Sequence, residues 1–213
     1  MIGAFVDGPL WYFSAGVFLM GVAWRLVSIL RLGVEADLAV PRHGGAGGAL
    51  WTIFSRSWPR RSLTERAKLP VIAGYMFHLG LLALLFFAKP HVDFYAERVT
   101  GFGWASMPRW AFIVTAEVAF AGLMMLWLYR VLNPVTRLLS SVDDHLAAWL
   151  IFLVMLTGCM ALLEHFEPLR ILHLFLAELL LIYFPFGSLM HTFTFALSRG
   201  YTGATMARRG IAA

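Results

Sequence analysis

Two histidines stand at the ends of one apolar segment, HLFLAELLLIYFPFGSLMH, which runs from residue 173 to residue 191. Imidazole nitrogens are costly to bury in hydrocarbon, so ionisable side chains at membrane depth indicate a functional site. His173 and His191 are 18 residues apart, and a straight helix of that length rises about 27 Å through nearly whole turns. The spacing therefore predicts two imidazoles on one helical face, one near each side of a bilayer.

Neutral imidazole with no thiolate nearby suits the iron of b-type haem. The chain has a single cysteine, Cys159, and therefore no C-x-x-C-H motif for covalent haem attachment. Each iron then needs a second ligand from another helix. His78 lies inside a second apolar run and is the expected partner of His191, which predicts an inner haem between them.

The second ligand of the outer haem is expected to be His91, with His165 as the reserve ligand. His91 follows His78 by 13 residues, and that separation turns an ideal helix by about 220°. The two rings would not share a face of one straight helix. Pro90 directly precedes His91, and a proline there ends or kinks a helix and redirects the residues that follow.

Three other charged residues lie at or near membrane depth: Lys89, Glu117 and Glu178. Carboxyl groups there either carry protons to or from a quinone or brace a ligand helix by hydrogen bonding. Lys89 either donates to a quinone carbonyl or extends its ammonium group to the lipid headgroups. Both interpretations remain open, and the three residues together form the candidate quinone and proton site.

The composition indicates the elements that position these residues. The chain is 60% hydrophobic and 14% charged, with a mean hydropathy of +0.75, which is typical of an integral membrane protein. Runs long enough to cross a bilayer occur at 10–30, 70–88, 110–129, 146–163 and 171–197. Because open sheet edges do not occur in hydrocarbon, the predicted fold is all-α, a five-helix membrane bundle that forms a single domain over residues 1–213.

Basic residues predict the orientation of this bundle. With the N-terminus outside and the C-terminus in the cytoplasm, the inner segments carry thirteen Lys and Arg and the outer segments four. Such a bias follows the positive-inside rule. The connection 31–69 is then cytoplasmic. Its HGGAGG is expected to be a flexible link, and its WTIFSRSWPRRSLTER forms either an interfacial helix or a docking surface.

At these residues the chain resembles the gamma subunit of respiratory nitrate reductase and its relatives, the cytochrome b subunits of heterodisulfide-reductase-like complexes. The motifs are FSAGVFLMGVAWR, GYMFHLGLL, WLIFLVMLTG and, above all, the segment 173–191. The resemblance implies that His78 pairs with His191, and His173 with a second-span histidine. It departs from nitrate reductase subunits at Ala88, where those have a histidine, and in the long connection 31–69. Both differences favour the heterodisulfide-reductase-like branch.

The resulting prediction is a dihaem cytochrome b subunit of a membrane quinone oxidoreductase. It implies two b-type haems, menaquinone or ubiquinone as substrate, a cytoplasmic iron–sulfur partner subunit and the inner membrane of a bacterium or archaeon. The basic charge is explained by the membrane rather than by nucleic acid. Alternatives are a haem-free transporter or proton-conducting bundle, a simple membrane anchor and, within the family, the nitrate reductase gamma subunit itself.

Overall fold

The computed structural model describes residues 1–33, 40–59, 61–164 and 166–211, and these residues form helices and no strand. In chain order the α-helices are α1 Ile2–Phe5, α2 Trp11–Arg31, α3 Gly45–Ser55, α4 Arg61–Arg66, α5 Lys68–Phe87, α6 Lys89–Tyr95, α7 Arg109–Leu132, α8 Pro134–Leu139, α9 Val142–Glu164, α10 Glu167–Tyr183 and α11 His191–Arg208. The chain divides into two compact units, Met1–Leu63 with Leu174–Ala213 and Thr64–His173, and each is described by itself below.

Four predicted membrane spans are confirmed as helices long and apolar enough to cross a bilayer within the described ranges. They are Ile2–Arg31, Lys68–Phe87, Arg109–Leu132 and Val142–Leu162. The first is longer than expected because α1 and a π-helical turn, Val6–Leu10, precede α2. Four apolar helices of this length among the described residues are consistent with a multi-pass membrane protein, since helices satisfy their own backbone groups in lipid.

The fifth segment is not a single straight helix, and here the sequence-based expectation was wrong. α10 ends at Tyr183, and the helical pair Glu167–Tyr183 and Ser188–Arg208 is bent by 76°. The rise of about 27 Å and the shared helical face both assumed an unbroken helix from 173 to 191. That geometry therefore does not apply to His173 and His191.

Proline and close packing explain the bend. Pro185 has no backbone N–H, so the helical hydrogen bonds of α10 end with Phe184 donating to the Leu180 carbonyl at 2.9 Å. Pro185 is fully buried and lies directly against Gly21 of α2, where an added Cβ would come within 2.6 Å of the proline ring. The bend is thus fixed by contacts with α2 as well as by the missing hydrogen bond.

The glycine-rich stretch of the 31–69 connection is helical, which contradicts the predicted flexible link. Gly45 begins α3, which continues through Gly47 and Gly48 to Ser55. Glycine is a weak helix former in isolation, so tertiary contacts must stabilise these turns. Those contacts come from α11, against which α3 packs closely.

Glycines allow the α3 and α11 backbones to approach each other. Gly48 lies against the Gly203 carbonyl and Ala207, while Gly203 lies against Thr52. Such small-residue contacts bring helix axes close together. At the other end of α3, the Arg199 guanidinium donates to the Ile53 carbonyl at 3.3 Å, where a cation complements the negative end of the helix dipole.

A matched pair of substitutions tests this packing. Gly48→Ala is expected to destabilise the α3–α11 contact by about 1–3 kcal/mol, because the new methyl group has no space beside Gly203 and Ala207. Gly47→Ala is the control, since a Cβ there meets nothing within 4 Å. Hydrogen exchange of 45–55 should accelerate only in Gly48→Ala. Equal exchange in both variants would contradict the glycine contact.

The Thr64–His173 unit is built on the same small-residue principle. In the α5–α7 pair, Gly80 lies against Ala119, and Gly122 lies against the backbone of Phe77. α7 and α9 pack through edge-to-face aromatic pairs, including Phe120 with Phe152 at 5.5 Å between ring centroids. This packing fixes the ends of α5 and α9, which carry the candidate site.

Candidate functional site

The end of the second span determines where His91 points. α5 ends at Phe87, Ala88 is extended with a ψ of 134°, and α6 begins at Lys89 with Pro90 in its first turn. Proline favours such a start because its fixed φ suits the first turn and its missing N–H leaves no donor unpaired there. The rotation of about 220° calculated for one continuous helix is therefore replaced by a new helix with its own direction.

Hydrogen bonds hold α6 against the last turn of α5. His91 Nδ1 lies 2.9 Å from the Leu84 carbonyl oxygen. Trp104 Nε1 donates to the Phe86 carbonyl at 2.7 Å, and the Trp104 ring stacks on Tyr95 of α6. Burial raises the pKa of the Tyr95 hydroxyl, so this ring stays neutral at physiological pH.

His173 is positioned by α9. Its Nδ1 lies 2.9 Å from the Val154 carbonyl oxygen, and its ring lies on the backbone of Gly158. A Cβ at Gly158 would come within 2.8 Å of His173 Cε1 and 3.0 Å of Nδ1. The absence of a side chain at Gly158 is therefore what allows the imidazole to approach the helix and reach its carbonyl partner.

The two imidazoles of His91 and His173 are neighbours. Their ring centroids are 6.1 Å apart and their planes differ by 22°. A carbonyl oxygen only accepts hydrogen bonds, so each Nδ1 must carry the proton and donate. The lone pair of each ring is then on Nε2, which is the nitrogen that can ligate a metal.

His78 and His191 show the same arrangement of their ring nitrogens. His78 Nδ1 lies 2.8 Å from the Gly74 carbonyl oxygen in α5. His191 Nδ1 lies 2.8 Å from the Ser188 carbonyl oxygen at the start of α11. The two residues belong to different units, so their pairing remains a prediction. In all four candidate ligands Nδ1 donates to a backbone carbonyl, so Nε2 is the nitrogen that would ligate a metal.

The remaining candidate residues have different environments. Lys89 forms an exposed ion pair with Asp93 at 2.9 Å. Glu117 lies on an exposed position of α7. Glu178 is 4% exposed, and its Oε2 has no hydrogen-bond partner within the described part of the chain. The reserve ligand His165 lies outside the described residues.

Sequence reasoning missed the groups that orient the rings: Gly158 and the carbonyls of Leu84, Val154 and Gly74. Carbonyls carry no sequence signal, but a lone glycine inside an apolar helix commonly has a packing role. Within the described ranges, no three His, Cys, Asp or Glu side chains converge on one point. Paired histidines suit haem in particular, because the porphyrin supplies the other four nitrogens and the protein supplies the axial ligands.

No protein-family model matches the chain. The chain is 25% identical, over 99% of its own length and 83% of the relative, to the Hdr-like menaquinol oxidoreductase cytochrome b-like subunit of Archaeoglobus fulgidus. This similarity supports the heterodisulfide-reductase-like branch, whereas the link to nitrate reductase stays a prediction. The chain thus has apolar helices consistent with a multi-pass membrane protein, and it is similar, along nearly its whole length, to a cytochrome b-like subunit of a menaquinol oxidoreductase.

Proposed function

We propose that this chain is the dihaem cytochrome b subunit of a membrane menaquinol oxidoreductase. The observation that carries the proposal is the pair formed by His91 and His173. The pair joins two elements, α6 and α10, and each ring is fixed by a hydrogen bond to a backbone carbonyl. Hydrogen bonds of this kind orient metal-ligating imidazoles and raise their basicity.

The spacing of the two rings would allow both imidazoles to hold one iron. An imidazole nitrogen lies roughly 2 Å from a bound metal ion, so two rings that hold the same ion would have centroids about 6 Å apart. The His91 and His173 centroids are 6.1 Å apart. We therefore assign these histidines to the outer b-type haem, with His78 and His191 as the ligands of the inner one.

The bound haems would supply one-electron transfer between the membrane quinone pool and a partner subunit. The similarity to a menaquinol oxidoreductase subunit favours menaquinone over ubiquinone. The same similarity supports an iron–sulfur partner, and we propose that this partner is a cytoplasmic subunit of the heterodisulfide-reductase type. The nitrate reductase gamma subunit stays the alternative within the family. The bias of basic residues supports an N-terminus outside the cytoplasm in the inner membrane of a bacterium or archaeon.

Glu178 is the strongest of the three candidate residues for proton transfer. Its carboxyl group is buried, one of its oxygens has no partner among the described residues, and Asp7 is near enough to interact with it electrostatically. A buried carboxyl with one unpartnered oxygen can hold or release a proton during quinol oxidation. Lys89 and Glu117 are weaker candidates because both are exposed. They remain proposed members of the quinone site.

Glu178→Gln separates proton transfer from bracing. The change keeps the side-chain shape and removes the acid, so quinol-driven haem reduction should slow by at least about tenfold at unchanged haem content. Stopped-flow absorbance measures the rate. Glu167→Gln is the control, because Glu167 is an exposed acid on the same helix that pairs with Arg170. Loss of haem in Glu178→Gln, with little effect on rate per haem, would instead assign a bracing role.

The test of the proposed function is a haem count on the purified protein. A dithionite-reduced minus oxidised spectrum with a pyridine haemochrome assay should give two b-type haems per chain. One haem per chain would contradict the dihaem assignment. A protein purified intact without a Soret band would favour the transporter or anchor alternative.

A further inference from the structure

Helices α3, Gly45–Ser55, and α11, His191–Arg208, pack together as the α3–α11 layer. The charged side chains in and beside this layer are all positive. The described stretches 40–59 and 191–211, which contain it, carry five arginines and no aspartate or glutamate. The arginines are Arg42, Arg56, Arg199, Arg208 and Arg209. A surface of one sign attracts a partner of the opposite sign, so the layer fits an anionic surface.

The face of α3 that points away from α11 is apolar. Gly45, Gly48 and Thr52 face α11, while Leu50, Trp51 and Phe54 are 60%, 68% and 73% exposed. Leu50 and Phe54 lie on the side of α3 opposite Gly48 and Thr52. Trp51 lies at the border of this face, where it also lines a cavity with Gly203 and Ala207 of α11. α3 contains no charged side chain. A contiguous aromatic and aliphatic face of this kind indicates an interaction with a protein or a membrane.

The direction of α11 favours a membrane over a protein as the partner of this face. α11 follows α10 after the 76° bend, so a bilayer-spanning α10 places α11 close to the membrane plane. α3 runs antiparallel to α11, because Gly45 contacts Ala204 whereas Ile53 contacts Arg199 and Gly200. Arg42 N also donates to the Arg208 carbonyl at 2.8 Å. If α10 crosses the bilayer, both helices would therefore lie along the membrane surface as one unit.

We propose that the α3–α11 layer is an interfacial membrane-binding element that takes anionic phospholipid. The Leu50, Trp51 and Phe54 face enters the boundary between headgroups and acyl chains, and the arginines bind lipid phosphates. Interfacial helices combine aromatic and aliphatic residues on the lipid side with flanking cations in this way. Since α11 begins at His191, the lipid contact would also restrain the helix that carries this residue. The proposal does not depend on haem binding.

The test places a fluorescent probe on the apolar face of the full-length protein in lipid nanodiscs. Phe54→Cys is labelled in a Cys159→Ala background, and His43→Cys, an exposed position before α3, is the matched control. In bilayers containing phosphatidylglycerol, bromine on the lipid acyl chains should lower emission from position 54 roughly twofold or more, while aqueous iodide should quench position 43 preferentially.

Two outcomes would overturn the proposal. Equal iodide quenching at both positions, without quenching by brominated lipid at 54, would show a face open to water and suited to a soluble protein partner. Unchanged lipid quenching at 54 when phosphatidylcholine replaces phosphatidylglycerol would show that the arginines do not draw the layer to anionic lipid. Neither measurement uses haem content, so a failure of the lipid-binding proposal is distinguishable from a failure of the cytochrome assignment.

Discussion

His173→Ala is expected to leave the protein with about one b-type haem per chain instead of two, because one iron loses an axial ligand. The proposed outer ligands, His91 and His173, have rings that are 6.1 Å apart, and the substitution removes only one of the two imidazoles. The proposed ligands of the inner haem, His78 and His191, are unchanged, so one haem should remain. The pyridine haemochrome assay gives the stoichiometry, and redox titration should lose one of two midpoint potentials.

His91→Ala should have the same effect as His173→Ala, which makes the pair of variants a test of ligand identity. His165→Ala is the informative comparison, because His165 is the reserve ligand predicted from the sequence. The His165→Ala protein should retain both haems. His43→Ala, at an exposed position before α3, controls for loss of any histidine. Loss of the outer haem in His165→Ala but not in His91→Ala would contradict the assignment.

Much of the architecture could be predicted from the sequence because membrane spans have a strong signal. Runs of about 20 apolar residues have few alternatives to a helix in lipid, and four of them form helices. Three of these have ends close to those expected, whereas the first begins earlier, at Ile2. The four histidines were candidates for a related reason, since ionisable side chains at membrane depth indicate a functional site. Their role as haem ligands stays a prediction. These signals do not predict the direction that the chain takes after each helix ends.

Two local structures show why the remainder could not be predicted. Pro185 indicates a lost hydrogen bond, but the 76° bend also depends on its contact with Gly21, which lies far away in the sequence. The glycines of α3 suggested flexibility, yet they form a helix because Gly203 provides a surface without side chains. In both cases tertiary packing overrides local preference, which is a weak predictor by itself.

The position of His91 shows how a local signal can be present yet hard to quantify. Pro90 correctly indicated that a helix ends or turns before His91. The new direction, however, depends on the extended Ala88, the bond to the Leu84 carbonyl and the Trp104 contact with the Phe86 carbonyl. Because the direction depends on these groups together, the sequence alone could not predict that the His91 ring lies next to His173.

The second prediction concerns Gly158, which touches the outer site without supplying a ligand. Gly158→Ala should weaken haem binding at this site by about 10- to 100-fold, the usual effect of disturbing a group that orients a ligand. The added methyl group would lie 2.8 Å from His173 Cε1, so the ring must move. That movement should lengthen the bond from Nδ1 to the Val154 carbonyl, which is 2.9 Å in the unaltered protein.

Gly74→Ala is the matched control for this substitution. Gly74 is also a helical glycine beside a candidate ligand, since its carbonyl accepts from His78, but a Cβ there meets nothing within 4 Å. It should therefore retain both haems. Haem titration of the apoprotein and the midpoint potential of the outer site should change in Gly158→Ala alone, because a displaced ring alters ligand geometry as well as affinity. Equal haem affinity and equal midpoint potentials in the two variants would mean that the Gly158 backbone does not position the His173 ring.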